Sequence, residues 1–324
     1  MIPAYDEEKT LPSVIKRIPR KISEISDVKV LVMDDHSSDK TTEVSKKAGA
    51  DYVIRNKHNL GLGVNFRKGI ENSLRLGADI IVNIDADGQF NPEDIPKLIQ
   101  PILDDEANMV TCSRFLNPEL TKNMPWIKKW TNRRVTNLIS RITGEKFTDT
   151  QCGFRAYSRE AALRLNIRGK FTYTQEVFID LVEKGMKIKE VPLEVKYFQD
   201  RKSHISGKLL SYAVKSFTII WRATRDTQPL TFFGAPGLIL FIIGSIGGIF
   251  SFVYWLTTLT TSPIQTILNL SIFFTIAGIS LIILALLADM MKSIRTDQNE
   301  ILYRLKKREF NDSESMSKKK KKRV

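Results

Sequence analysis

The sequence predicts a two-part α/β protein, in which a mainly parallel sheet wound with helices is followed by an interfacial helix and a two-helix transmembrane hairpin. Three observations predict it. Short β-branched runs alternate with amphipathic helical stretches from the N-terminus through Ile84. Two of these runs end directly in aspartates, at Asp34 and Asp35 and at Asp85 and Asp87. No charged residue occurs from Thr227 to Ala288, 62 consecutive positions, and a water-exposed surface does not run that far without charge.

The first helix follows Glu8, where Leu11, Ile15, Ile18, Ile22 and Ile25 recur at helical spacing and Pro12 sits in the first turn. Pro19 conflicts with the later part of that stretch. Residues 28–33 read as a strand leading into Asp34 and Asp35, and residues 41–48 as a helix stopped by Gly49. A further helix follows Gly63 and ends near Gly77, and residues 80–84 form a nearly continuous apolar strand before Asp85 and Asp87. Apolar strands joined by helices make a sheet covered on both faces, and such sheets bind ligands beyond the carboxyl ends of the strands. Both aspartate pairs stand at that edge.

Residues 208–229 place Leu210, Ala213, Val214, Phe217 and Trp221 on one helical face and Lys208, Lys215 and Arg222 on another, an amphipathic interfacial helix or else one packed on the soluble domain. Residues 230–290 form the hairpin. Its arms, 232–256 and 267–288, each exceed the length that at ~1.5 Å per residue crosses a ~30 Å hydrocarbon layer. The connector 257–266 is uncharged while Arg222, Arg225, Lys292 and Arg295 flank the outer ends, so the expected topology is a multi-pass cell-membrane protein with both termini and the globular domain cytoplasmic. Gly244, Gly247 and Gly248 permit close helix contact or a homo-oligomer. Residues 291–324 are expected to be a basic cytoplasmic tail whose terminal lysine run is solvated and disordered, with attraction to anionic lipid as its simplest role.

The formal charge is +14, and half of that excess lies from Lys292 onward, where 12 basic residues face 5 acidic ones. A nucleic-acid partner would require a basic face interleaved with aromatics or a known module, and the sequence shows neither. Cys112 and Cys152 lack metal spacing and read as small buried residues, while His36, His58 and His204 do not cluster. No charged and apolar leader opens the chain, so no cleaved signal is expected.

Asp85-Ala86-Asp87-Gly88-Gln89 leaves a buried strand into a tight glycine turn. Two carboxylates so placed hold a hard divalent cation whose remaining ligands come from a diphosphate and water. Taken with Ile2-Pro3-Ala4-Tyr5-Asp6-Glu7-Glu8, the segment Asp34 to Thr41, Asn59-Leu60-Gly61-Leu62-Gly63 with Gly69, Ser113-Arg114-Phe115 and the segment Asp149 to Arg155, the chain resembles the family 2 glycosyltransferases of the GT-A fold over residues 1–225. The interfacial helix, the entry segment Pro229 to Gly234 and the hairpin are similar to the polyprenyl-phosphate hexose synthases, the dolichol-phosphate mannose synthase type.

The resemblance implies a GT-A domain over 1–207 and roles for particular residues. Pro3, Tyr5, Glu7 and Asp35 match nucleoside-binding positions, and Asp85, Ala86, Asp87 and Gln89 match the site of Mg²⁺ or Mn²⁺ and the diphosphate. Arg114, Arg201 and Lys208 match the cations beside the departing nucleoside diphosphate, with Asp87, Arg114 and Arg201 the expected catalytic set. The implied reaction is inverting transfer of a hexose, mannose favoured, from GDP-mannose or UDP-glucose to a polyprenyl phosphate in membrane lipid. Such an acceptor requires no strong general base, because a phosphomonoester with a second pKa near ~6 is already dianionic at neutral pH.

Some positions stay open. Asp34 either caps the following turn or joins the site, Arg155 is either a surface ion pair or a site residue, and Glu176 lies either on a solvated helix face or near the acceptor. The chain begins inside its first motif, so further strand residues are expected upstream of Met1, and His36 replaces a more usual glycine. The rival readings are a membrane-attached family 2 transferase with another lipid-linked acceptor and a non-enzymatic membrane scaffold. A processive polymer synthase would show a Gln-x-x-Arg-Trp motif and more membrane helices, and neither is present.

Overall fold

The computed structural model describes residues 1–122, 124–167, 169, 173–196, 221, 225 and 228–321, with side chains as far as Phe310. The chain forms two compact units, Met1–Leu209 with Ile301–Val324, and Leu210–Glu300.

The first unit starts with β1 (Ile2–Ala4), α1 (Leu11–Arg17), β2 (Leu31–Asp34), α2 (Thr41–Lys47), β3 (Tyr52–Arg55), α3 (Leu62–Arg75) and β4 (Ile80–Asn83). It continues with α4 (Ile95–Leu103), β5 (Met109–Ser113), α5 (Trp126–Thr143), β6 (Arg155–Ser158), α6 (Arg159–Arg164), α7 (Thr174–Glu183) and β7 (Ile188–Pro192). β1, β2 and β3 pair in parallel, and β4, β6, β5 and β7 form a second ladder in which only β6 runs antiparallel to its neighbours. The ladders join where the Met1 amino group donates to Val82 O at 2.8 Å and Ile84 N to Met1 O at 3.2 Å, the pattern of parallel neighbours. Burial pushes that amino group down to about 5.

The mainly parallel sheet is thus the expected one, with differences at its elements. α1 ends at Arg17 instead of reaching Ile25, because Ile18 precedes Pro19 and turns extended with ψ 123°. Ile22 and Ile25 still pack on the core from outside any helix. β3 is not evident in the sequence, since its four residues sit at an edge, with Val53 and Ile54 half-buried between exposed Tyr52 and Arg55. Cys112 and Cys152 are buried and free, as small core residues.

The second unit contains α8 (Ala235–Thr258), entered through a wide helical turn at Leu230–Gly234, and the membrane-length part of α9 (Gln265–Lys321). Both are long and apolar enough to cross a membrane, and large side chains such as Ile246 and Phe273, each 63% exposed, face outward instead of into a protein core. The glycines serve the contact between the two helices. A Cβ on Gly244 would lie 2.5 Å from Thr275 N, and one on Gly278 would lie 2.5 Å from Phe241 N. Gly247 faces Ser271, whereas Gly248 meets nothing within 4 Å.

Residues 291–321 continue α9 as helix, so the tail is not an unstructured one. Tyr303 and Phe310 are buried in the first unit. Tyr303 donates to Glu160 Oε2 at 2.8 Å beneath the Arg164 guanidinium, and Lys306 donates to Leu165 O at 2.9 Å. Lys306 also closes a small cavity lined by Phe66, Ile70 and Leu74 of α3.

Candidate active site

Beyond the carboxyl end of β4 the chain passes through Asp85, buried Ala86 and Asp87 into a turn whose Gly88 has φ +74°, a conformation that favours glycine. Asp87 Oδ1 accepts from Gln89 N at 3.0 Å, which fixes the turn. Asp85 lies against the backbone of Gly153, where an added Cβ would stand 2.6 Å from Oδ2. Burial pushes the Asp85 carboxyl up to about 7, the Asp87 carboxylate adds to the effect and Glu7 adds less, while Arg155 and Arg114 oppose it. This set of donors is acidic beyond what the neighbouring arginines neutralise, which suits a hard divalent cation. Among the described residues no three His, Cys, Asp or Glu side chains converge, so such an ion would draw the rest of its shell from a ligand and water.

A second acidic edge lies beyond β1 and β2. Asp34 is fully buried and accepts from Ser37 N at 2.8 Å, Ser37 Oγ at 2.6 Å and Thr42 Oγ1. Of its two readings, the cap of the turn is the one realised. Asp35 accepts from Asn56 Nδ2 at 2.8 Å, Leu60 N at 2.9 Å and Gly61 N at 2.8 Å, so it orders the Asn59 to Gly63 loop from inside. A carboxylate has about four lone-pair sites, which leaves roughly one for a ligand donor. Asp6 reaches across to the Ser38 backbone at 2.7 Å and Glu8 to that of Lys40 at 3.1 Å, while Glu7 N donates to Thr41 Oγ1 at 2.9 Å. These contacts lock the first two motifs together, with Pro3 buried in β1 and Tyr5 46% exposed beside it. His36 adopts φ +66°, the geometry that explains glycine as its usual counterpart.

On the far side, Arg114 follows β5 and forms a fork with Asp149, Nε to Oδ2 at 2.6 Å and Nη2 to Oδ1 at 2.9 Å. Burial works against the Asp149 charge, but the Arg114 fork and Asn132 more than offset it, so its carboxyl titrates below the ordinary range. Glu190 of β7 holds the same loop, accepting from Thr148 N at 2.9 Å and Asp149 N at 2.8 Å. Arg155 is fully buried, which overturns its reading as a surface ion pair. Its guanidinium lies 4.8 Å from the Phe178 ring and donates from Nη2 to Thr150 O at 3.1 Å. Glu176 is half-buried and accepts from Gly169 N at 2.8 Å, a loop-holding role.

The structure therefore brings Glu7, Asp85, Asp87 and Arg114 into one electrostatic neighbourhood. Arg201, Lys208, His204 and nearly all of the expected interfacial helix 208–229 lie outside the described residues. Asn56, Glu190 and Gly153 carry much of the scaffolding, and the sequence reading assigned them no role. Gly153 was visible only as part of the Asp149 to Arg155 motif, and Glu190 sits in an ordinary-looking strand.

A model of the family described as "Glycosyl transferase family 2" matches residues 1–165, half of the chain. The chain belongs to that family. A UDP-N-acetylglucosamine--dolichyl-phosphate N-acetylglucosaminyltransferase of Methanococcus voltae is 32% identical over 61% of this chain and 84% of its own length. A polyprenol monophosphomannose synthase of Mycolicibacterium smegmatis is 29% identical over 60% of this chain and 75% of its own. Among solved structures, glucosyl-3-phosphoglycerate synthase of Mycobacterium tuberculosis, determined with Mn²⁺, UDP and phosphoglyceric acid, superposes with a TM-score of 0.52 at 21% identity, covering 68% of this chain and 76% of that one. That likeness establishes a GT-A-like fold. The family makes this glycosyltransferase an enzyme, and a non-enzymatic scaffold is set aside.

Proposed function

We propose that this enzyme transfers a sugar from a nucleotide sugar to a polyprenyl phosphate with inversion, on a domain tethered to the membrane by α8 and α9. The observation that carries the reading is the acidic edge of the sheet, where Asp85 beyond β4 feels the charges of Asp87, Glu7 and Arg114. Two relatives named for transfer to dolichyl or polyprenol carriers, and two helices of membrane length, support the acceptor class. The resemblance favours mannose, but the relatives named for N-acetylglucosamine and for mannose match at similar identity, 32% and 29%. The acceptor class is thus better supported than the sugar.

In this reading Asp85, Asp87 and Gln89 would hold Mg²⁺ or Mn²⁺, which when bound neutralises charge on the diphosphate. Pro3, Tyr5, Glu7 and Asp35 hold the nucleoside against the β1 and β2 edge. An acceptor phosphate oxygen forms the new bond to the anomeric carbon as the bond to the nucleoside diphosphate breaks, and the electron pair leaves with the diphosphate. Arg114, fixed in place by Asp149, stands beside that developing charge, and the family resemblance gives Arg201 and Lys208, which lie outside the described residues, the same role. The chain's own contribution is alignment and charge compensation. The globular domain and both termini are assigned to the cytoplasm by the arginine and lysine bias around the hairpin.

The test is transfer of radiolabelled sugar into organic-extractable lipid by membranes containing the full chain, dolichyl phosphate and Mg²⁺ or Mn²⁺. GDP-mannose, UDP-glucose and UDP-N-acetylglucosamine are supplied in parallel. Label from one donor, lost in Asp87→Ala, supports the reading. Label entering only water-soluble or protein acceptors refutes the acceptor.

A further inference from the structure

α5 has a face that the fold leaves outward. Its inner face buries Asn132, Thr136 and Ile139, and Asn132 reaches Asp149 Oδ1 at 2.9 Å. Helical spacing from Trp126 through Trp130, Arg133, Arg134 and Arg141 then aligns those five residues on the opposite face. Trp126 is 74% exposed and Trp130 54%, with Ile127 exposed beside them. The Arg134 guanidinium lies 5.3 Å from the Trp130 ring, so cation and aromatic are presented together. The helix holds five basic residues, Lys128, Lys129, Arg133, Arg134 and Arg141, and no acidic one. A basic face interleaved with aromatics thus exists on α5, contrary to the sequence reading that none is present.

We propose that this outer face of α5 is a docking surface for an anionic lipid bilayer, in which Trp126 and Trp130 enter the interface and the arginines meet the headgroups. Exposed tryptophan beside arginine is the composition of interfacial membrane segments. An unbalanced row of cations complements an anionic leaflet, whereas it repels a second copy of a chain whose formal charge is +14. Lipid is also the phase within reach, because the same chain has two helices of membrane length. The proposal is independent of the sugar and of the acceptor. It gives the catalytic unit a lipid contact of its own, on the helix that positions Asp149 and through it Arg114.

The test uses the full chain in nanodiscs whose lipids are brominated along the acyl chains. Of the four tryptophans, Trp221 and Trp255 are changed to phenylalanine, so that emission comes from Trp126 and Trp130. The expected result is quenching in discs of phosphatidylcholine with phosphatidylglycerol and little in phosphatidylcholine alone. Each arginine neutralised in Arg133→Gln with Arg134→Gln should weaken the lipid contact roughly fivefold. An unchanged unfolding midpoint shows that the variant still folds. Absence of quenching in the anionic discs overturns the proposal, as does quenching that ignores the arginine changes. Emission that responds to protein concentration or to an added oligonucleotide, and not to brominated lipid, overturns it in favour of a second copy or of nucleic acid.

Discussion

The site depends on a few close approaches between single residues. Gly153 has no room for a side chain because Asp85 occupies that space at 2.6 Å. Gly153→Ala should therefore displace the Asp85 carboxylate and weaken Mn²⁺ binding at least about tenfold while the fold survives, as measured by calorimetry beside circular dichroism. Asp85 also sets a pH dependence. Its folded-state pKa of about 7 lies above its ordinary value of 3.8, so without metal the folded protein holds a proton that the unfolded chain releases between pH 4 and 7. Stability of the metal-free protein consequently falls as pH rises through that window and levels off above 7. Asp85→Asn should be the more stable metal-free protein at pH 8, by on the order of 2 kcal/mol allowing for partial solvent access, with no gain at pH 4. Denaturant midpoints at the two pH values measure this. Equal midpoints at pH 8 would show that Asp85 is not strained. The residue scale was partly legible in the sequence, since aspartates at strand ends are conspicuous. The partners that hold them, Asn56 and Glu190, are not, because each acts across the fold from a strand or loop far away in sequence.

Elements were legible where local chemistry decides them and obscure where packing does. Thr41–Lys47 and Leu62–Arg75 follow their apolar spacing and glycine stops, and Ile80–Asn83 follows its apolar run. The reach of α1 was overestimated because periodicity persists past Pro19 while the backbone does not. The packing of the C-terminal segment was not foreseen, since its basic composition suggested only a tail whereas Tyr303, Lys306 and Phe310 pick out one face that packs on α3 and α6. Burial pushes the Lys306 ammonium below its ordinary pKa, in keeping with that packing. Phe310 is 2% exposed, so Phe310→Ala should cost about 3 kcal/mol of local stability. Hydrogen exchange should then quicken at α6 and at residues 301–310 together. Unchanged exchange at α6 would mean that the segment contributes nothing to the first unit.

For the whole molecule, the sequence conveyed the two-part plan because composition changes abruptly at the 62-residue uncharged stretch, and the parallel sheet because its strands are uniformly apolar. The order of the ladders, with β6 reversed between β4 and β5, comes from long-range pairing that no local pattern encodes. The glycines of α8 were read as permitting close helix contact or an oligomer, and Gly244 and Gly247 seat α8 against α9 within one chain, whereas Gly248 meets nothing within 4 Å. Such a plan places an acidic sheet edge and a membrane-length hairpin in one polypeptide, and the central claim is that the enzyme passes a sugar to a lipid carrier. The most direct test is the chemical structure of the product made by the full chain in lipid. The account predicts a sugar-1-phosphoryl polyprenol whose anomeric configuration, read by NMR, is opposite to that of the donor. Retained configuration would contradict the single displacement, and sugar recovered only in water-soluble products would contradict the lipid acceptor.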